Sequence, residues 1–226
     1  MTEHFFTAQT DGMKSGFAWL LAAGLLPADT RAETIHFDDA KPGELPAGWT
    51  ATRTGTGEPK WVVVADDSAP SKPNVLQQSG IATYPVCLRE QARLKDGFVE
   101  VKFKSVSGKE DQAGGVIWRA QDADNYYICR ANAREDNVTV YKTVAGRRTV
   151  LDILGRQGGY GVGEKVAPAR WHTLRVEFTA ARCKVFFNGK LLCEVEDRTF
   201  SDAGKVGLWT KADSVTCFDD FKYGAK

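Results

Sequence analysis

Residues 114–141, GGVIWRAQDADNYYICRANAREDNVTVY, alternate apolar and polar side chains in three runs separated by turn residues. A period of two marks strands, whose successive side chains point to opposite faces. Setting Ile117 against Ile128, Gly115 against Arg130 and Ala131 against Val138 makes one face of Val116, Trp118, Tyr127, Cys129, Ala131, Val138 and Val140. The other face then carries Arg119, Tyr126, Arg130, Asn132, Thr139 and Tyr141. A slip of one residue would exchange the two sets and bury both arginines, so the hydrophobic pattern selects this register. One face is core, and the other is a field of aromatic rings and planar hydrogen-bonding groups.

Strand patterns recur on both sides of this segment. They cover residues 34–37, 61–65, 75–78, 98–106, 171–179, 183–187, 191–195, 205–210 and 214–223, while 41–60 reads as a loop rich in Gly and Pro. Short strands, regular turns and no amphipathic helical stretch predict an antiparallel sandwich. With 226 residues and 42% hydrophobic content, the chain suits one all-β domain with a substantial core. Its formal charge of +1 supplies no global field for nucleic acid, so no nucleic-acid partner is expected.

Met13 and Lys14 precede an apolar run at 16–26, and small residues follow at 27–32. That run is shorter than the about 20 residues needed to span a bilayer and fits a signal-peptide core. The expected organisation is an extension and signal peptide at 1–32 and a β-sandwich domain at 33–226. The mature chain is then exported, periplasmic or secreted, with no transmembrane segment.

Export permits disulfides among Cys87, Cys129, Cys183, Cys193 and Cys217. A two-residue Asn188-Gly189 turn places Phe187 opposite Lys190 and Lys184 opposite Cys193. Cys183 and Cys193 would then face opposite ways, which argues against their pairing. The cysteines read as small buried core residues.

The blocks FDDAKPGELPAGWTATRTGTGEPKW, GGVIWRAQDADNYYICRANA, NVTVYKTVAGRR, WHTLRVEF, FFNGKLL, DAGKVGLWTKADS and FDDF resemble the 3-keto-disaccharide hydrolase-like domain family. That family lies within the concanavalin A-like lectin and glucanase superfamily, with laminin-G-type relatives. The resemblance implies an antiparallel jelly-roll β-sandwich of concanavalin A-like type whose concave sheet face handles carbohydrate. Glucanases of this superfamily use a Glu-x-Asp-x-x-Glu strand, whereas Glu194-Val-Glu196-Asp197 and Glu110-Asp111 do not complete that pattern. Retaining glycosidases need two carboxylates about 5–5.5 Å apart.

The candidate glycan-binding residues are Arg119, Tyr126, Arg130, Asn132 and Tyr141, with Trp209 as an extension of the platform. Aromatic faces stack on the apolar face of a pyranose, and a guanidinium fork bonds its hydroxyls or a carboxylate. Asp122 and Glu135, in the two turns, are the candidate catalytic carboxylates, though Asp and Asn are also ordinary turn formers. His172 falls on the apolar side of its strand and reads as core. Phe37-Asp38-Asp39 and Phe218-Asp219-Asp220-Phe221 suggest a structural calcium held by Asp39 and Asp219, and no other cofactor is required. Three functions follow in order: an exported carbohydrate-binding domain, a hydrolase or lyase of a (3-keto) disaccharide, and a laminin-G-like protein-interaction module. The identity of the glycan and the oligomeric state are not written in the sequence.

Overall fold

The computed structural model describes residues 1–4, 32–156 and 158–226, so residues 5–31 of the expected 1–32 leader lie outside the described residues. Among the described residues sixteen strands follow one another: β1 (Glu33–Ile35), β2 (Trp49–Glu58), β3 (Trp61–Ala65), β4 (Asn74–Gln78), β5 (Ile81–Leu94), β6 (Gly97–Ser107), β7 (Ala113–Ala120) and β8 (Tyr126–Asn132) in the first half. The second half adds β9 (Asn137–Val144), β10 (Arg147–Val150), β11 (Val162–Gly163), β12 (His172–Thr179), β13 (Arg182–Phe187), β14 (Lys190–Glu196), β15 (Gly204–Trp209) and β16 (Val215–Ala225). They form two eight-stranded sheets, in which the pairs are antiparallel. The first sheet runs β14-β13-β12-β6-β16-β4-β3, with β1 added to β16; the second runs β10-β9-β8-β7-β15-β5-β2, with β11 added to β9. Among the described residues no helix is long and apolar enough to cross a membrane.

The register of the central strands is the one that the alternation selects. Ile117 pairs with Ile128, Gly115 with Arg130, and Ala131 with Val138. Val116, Trp118, Tyr127, Cys129, Ala131, Val138 and Val140 therefore face the first sheet, where they meet Val99, Val101, Phe103, Leu174, Val176 and Phe178. The Trp118 ring stacks between Tyr127 at 5.4 Å and Phe178 at 6.1 Å. Each such side chain, fully buried, contributes roughly 1.5–3 kcal/mol of transfer free energy. His172 is also enclosed, stacked on Phe187 at 5.1 Å with Nε2 at 2.9 Å from the Ala167 carbonyl.

Two long strands, β2 and β5, escape the sequence pattern. β2 occupies much of the expected loop: after the buried Trp49 most of its residues are exposed, Thr54 is the only other buried one, and its end carries Gly55 and Gly57 at φ +78° and +103°, where the register with β5 shifts. β5 contains Pro85, which normally argues against a central strand. Here β15 ends at Trp209, opposite Val86, and the Pro85 carbonyl accepts Thr210 N at 3.0 Å. No continuing ladder needs the missing N–H. The Asn188-Gly189 hairpin also departs from simple counting. A bulge between Val185 and Phe186 places Val185 opposite Cys193, and both Cys183 and Cys193 enter the core. All five cysteines are buried free thiols.

A curled sheet face with two arginines over aromatic rings

The second sheet is strongly curled, and its concave side is the face turned away from the sandwich core. In the strand order, β2 and β8 are four positions apart, which in a flat sheet would separate them by roughly 19 Å. Instead Thr54 Oγ1 of β2 lies 2.7 Å from the Tyr126 hydroxyl of β8 and donates to the Ala123 carbonyl at 2.6 Å. Alternation sends Ile117, Tyr126, Ile128, Tyr141, Val86, Leu88 and Trp209 into this hollow, where they make a second apolar cluster.

Two guanidinium groups lie among these rings. Arg130 of β8 is 1% exposed and donates from one terminal nitrogen to Glu135 Oε2 (2.8 Å), the Tyr141 hydroxyl (3.0 Å) and the Tyr160 hydroxyl (2.9 Å). Its other terminal nitrogen bonds the Asn137 side-chain oxygen. Arg148 of β10 projects across the hollow, with its Cζ 4.3 Å from the Tyr141 ring centre, 4.7 Å from Tyr84 and 5.4 Å from Trp209. Tyr84 and Trp209 stack on each other at 5.3 Å. Trp209 Nε1 also donates to the Tyr126 hydroxyl at 3.3 Å. Tyr160 forms the exposed rim, edge-on to Tyr141 at 6.1 Å.

At one end of the hollow a single amide joins two carboxylates. Asn132 Nδ2 donates to Asp111 Oδ1 at 2.8 Å and to Glu135 Oε1 at 3.1 Å, so at most the sum of those distances, about 6 Å, separates the two oxygens. Lys211 neutralises Asp111, which is 2% exposed. Burial alone would raise the Glu135 pKa, but Arg130 and the Asn137 amide hold it below the ordinary value. It is an ionised acceptor at neutral pH and cannot serve as a general acid. Burial pushes the Tyr126 and Tyr141 phenols up, so both remain protonated.

The structure thus brings Tyr126, Arg130, Asn132, Tyr141 and Trp209 onto one face and adds Glu135 to them. Arg119 does not join them, contrary to its expected place on that face. Its φ of +49° lies at the end of β7, beside a register shift in β15 between Lys205 and Gly207. Gly204 packs so closely there that a Cβ would sit 2.4 Å from the Arg119 carbonyl carbon. The side chain turns away and donates to the Lys95 carbonyl (2.7 Å), the Phe200 carbonyl (2.8 Å) and Asp96 (3.2 Å), over the core ring of Phe178. Asp122 stays in its turn, accepting from Asp124 N at 2.7 Å and from Asn125 Nδ2 at 2.9 Å. Tyr84, Asp111, Arg148, Tyr160 and Lys211 were not selected from sequence. Arg148 in GRRTV was the one legible clue, since it follows a turn at alternating register with Val150.

The expected calcium pair is rearranged too. Among the described residues, the ligand atoms that lie within 4.8 Å of one another belong to His36, Asp219 and Asp220, and Asp39 is not among them. Asp39 is exposed, whereas Asp219 is fully buried and accepts from Ser71 N (2.8 Å) and Ser71 Oγ (2.7 Å). Lys102 and His36 each approach Asp220 at 2.6 Å. An imidazole in the donor set and a lysine already on the carboxylate fit an ion-pair network better than the all-oxygen shell that calcium takes.

Comparison with known proteins supplies the remaining context. The family model described as 3-keto-alpha-glucoside-1,2-lyase-like domain matches residues 35–222. The carbohydrate binding module CBM66 from Bacillus subtilis superposes with a TM-score of 0.61 at 21% identity, covering 77% of this chain and 94% of that one. The cellulose induced protein Cip1 gives 0.58 at 13% identity, with 84% and 96% covered. A native glycosidic hydrolase gives 0.50 at 11% identity, with 86% and 95% covered. At such identities these structures establish a shared sandwich fold. No curated protein matches the sequence.

Proposed function

Since the chain belongs to the 3-keto-alpha-glucoside-1,2-lyase-like domain family, we propose that it binds carbohydrate in the hollow of its second sheet. The observation that carries this reading is the gathering of Tyr84, Tyr141, Tyr160 and Trp209 around Arg130 and Arg148. Rings offer stacking surfaces for a pyranose, and the guanidinium groups offer directed donors for its oxygens. The fold shared with a carbohydrate binding module supports the same reading. Export through the 1–32 leader belongs to this proposal and places the ligand outside the cytoplasm; recovery of the protein only in cytosolic fractions of its host would oppose it.

Affinity electrophoresis in gels containing neutral and acidic polysaccharides tests the binding. Retardation by at least one glycan is expected, weakened about tenfold in Tyr160→Ala, whose half-exposed ring can be removed without opening the core. Retardation unchanged in both Tyr160→Ala and Arg130→Gln would reject the site.

A second reading, a lyase or hydrolase acting on a 3-keto-glucoside, is favoured by the Asp111 and Glu135 carboxylates bonded to one Asn132 amide. Glu135 would accept a proton or orient a water, with Asp111 fixing the amide. Turnover of a 3-keto-glucoside that falls at least a hundredfold in Glu135→Gln is the expected result for this reading. Equal turnover in the variant, or none in the parent, would sink it.

A further inference from the structure

Arg148 is a cation without a counter-ion. Arg130 has Glu135 and Lys211 has Asp111, but among the described residues no carboxylate pairs with Arg148. Its Nη1 is buried and makes no hydrogen bond, and neither does Nε of Arg130. Both guanidinium groups lie over the same Tyr141 ring, at 4.3 and 5.7 Å. The rings compensate only in part. An aromatic face attracts a cation but offers no acceptor that a guanidinium N–H can bond, and Arg148 is only partly exposed to water. What the hollow leaves open is the Arg148 guanidinium, partly exposed and without a matching anion among the described residues.

We infer that the hollow takes an acidic sugar, a uronic-acid unit whose carboxylate is received by the partly exposed Arg148 guanidinium while its ring lies against Tyr84 and Tyr160 at the rim. This inference rests on the glycan-binding reading above and narrows it. A carboxylate is planar and matches the guanidinium fork, and charge-assisted hydrogen bonds of this kind are roughly twice as strong as neutral ones. The aromatic walls exclude water from the contact and so strengthen it.

The test compares each acidic glycan with its own methyl ester, which keeps the sugar ring and removes the charge. Galacturonan, glucuronan and alginate, each beside its methyl ester, and neutral dextran and galactan are titrated into the full chain by calorimetry. The expected result is that at least one acid form binds about tenfold or more tighter than its ester. That ratio falls close to one in Arg148→Gln, is partly kept in Arg148→Lys, and is unchanged in Lys184→Gln on the first sheet. Thermal melts of each variant establish that it is folded. Equal binding of acid and ester, or a preference that survives in Arg148→Gln, overturns the inference and leaves glycan binding standing. Binding of neutral glycans alone does the same. No binding by any of these glycans overturns both.

Discussion

Arg119 and Arg130 stand eleven residues apart on neighbouring strands, both nearly fully buried, and they do opposite things. Arg119 is closed off: two backbone carbonyls and Asp96 take its donors, and Phe178 lies under its plane. Around it Tyr127 donates to Asp197 at 2.6 Å, and Lys142 donates to the same carboxylate at 2.7 Å. These groups answer one another from within the protein. In the hollow, Arg130 and Arg148 retain buried donors with nothing to meet them. Burial of an arginine is therefore uninformative by itself; the difference lies in the bonds left over. A satisfied network holds loops together, while the donors left over in the hollow are what the proposed ligand would meet.

The largest effect that could break this contrast is on stability at the closed end. Arg119→Ala leaves the Lys95 and Phe200 carbonyls without their donor and Asp96 with only the Ala180 N–H, and should destabilise the fold by about 3–5 kcal/mol. Urea unfolding measures it. A loss below about 1 kcal/mol would mean that those bonds are no stronger than a surface contact. In the hollow the corresponding change should be read in binding more than in stability. Tyr160→Ala removes a rim ring that touches Arg130 and Tyr141, and its expected tenfold loss of glycan affinity should come with a stability change within about 0.5 kcal/mol. A large stability loss there, with affinity intact, would make the hollow a second structural network and erase the comparison.

How far the sequence could reach follows from the same pair of residues. Strict alternation transmits register along β7, β8 and β9, so the core face and the placement of Tyr126, Arg130, Asn132 and Tyr141 were legible from period two alone. Arg119 sits one residue past the point where β7 pairs regularly, and its positive φ turns it to a different part of the molecule. Nothing in the local pattern signals that bulge except Gly204, which is distant in sequence. The far wall of the hollow was invisible for another reason. Tyr84 lies one residue before Pro85, and the threonines and glycines of β2 look like loop, so only the ladder with β5 reveals that strand. The Asp111–Asn132–Glu135 arrangement joins a residue before β7 to the turn after β8, a tertiary contact that spacing along one strand cannot encode.

The smallest effect sharpens the comparison through pH. Asp197 is partly buried, which alone would raise its pKa, yet Lys142, Thr199 and Tyr127 bring it down to about 2 from the ordinary 3.8. A carboxylate lowered on folding stabilises the native state above its unfolded pKa and loses that contribution as pH falls through the folded one. The window is thus from about pH 4 down to about pH 2. Because the group is partly solvated, the contribution is about 1 kcal/mol rather than the full linkage value. Asp197→Asn should therefore melt below the parent at pH 7, and the gap between the two should close as the pH approaches 2. Glu135, also lowered, differs in one respect: its partner Arg130 shares the hollow with the ligand. An acidic sugar bound beside Glu135 should push that carboxyl back up, so that acid favours binding, whereas Asp197 should respond to no ligand at all. If saturating glycan moved the acid limb assigned to Asp197, the two ends of the sheet would be coupled, and the division between a closed network and an open one would fail.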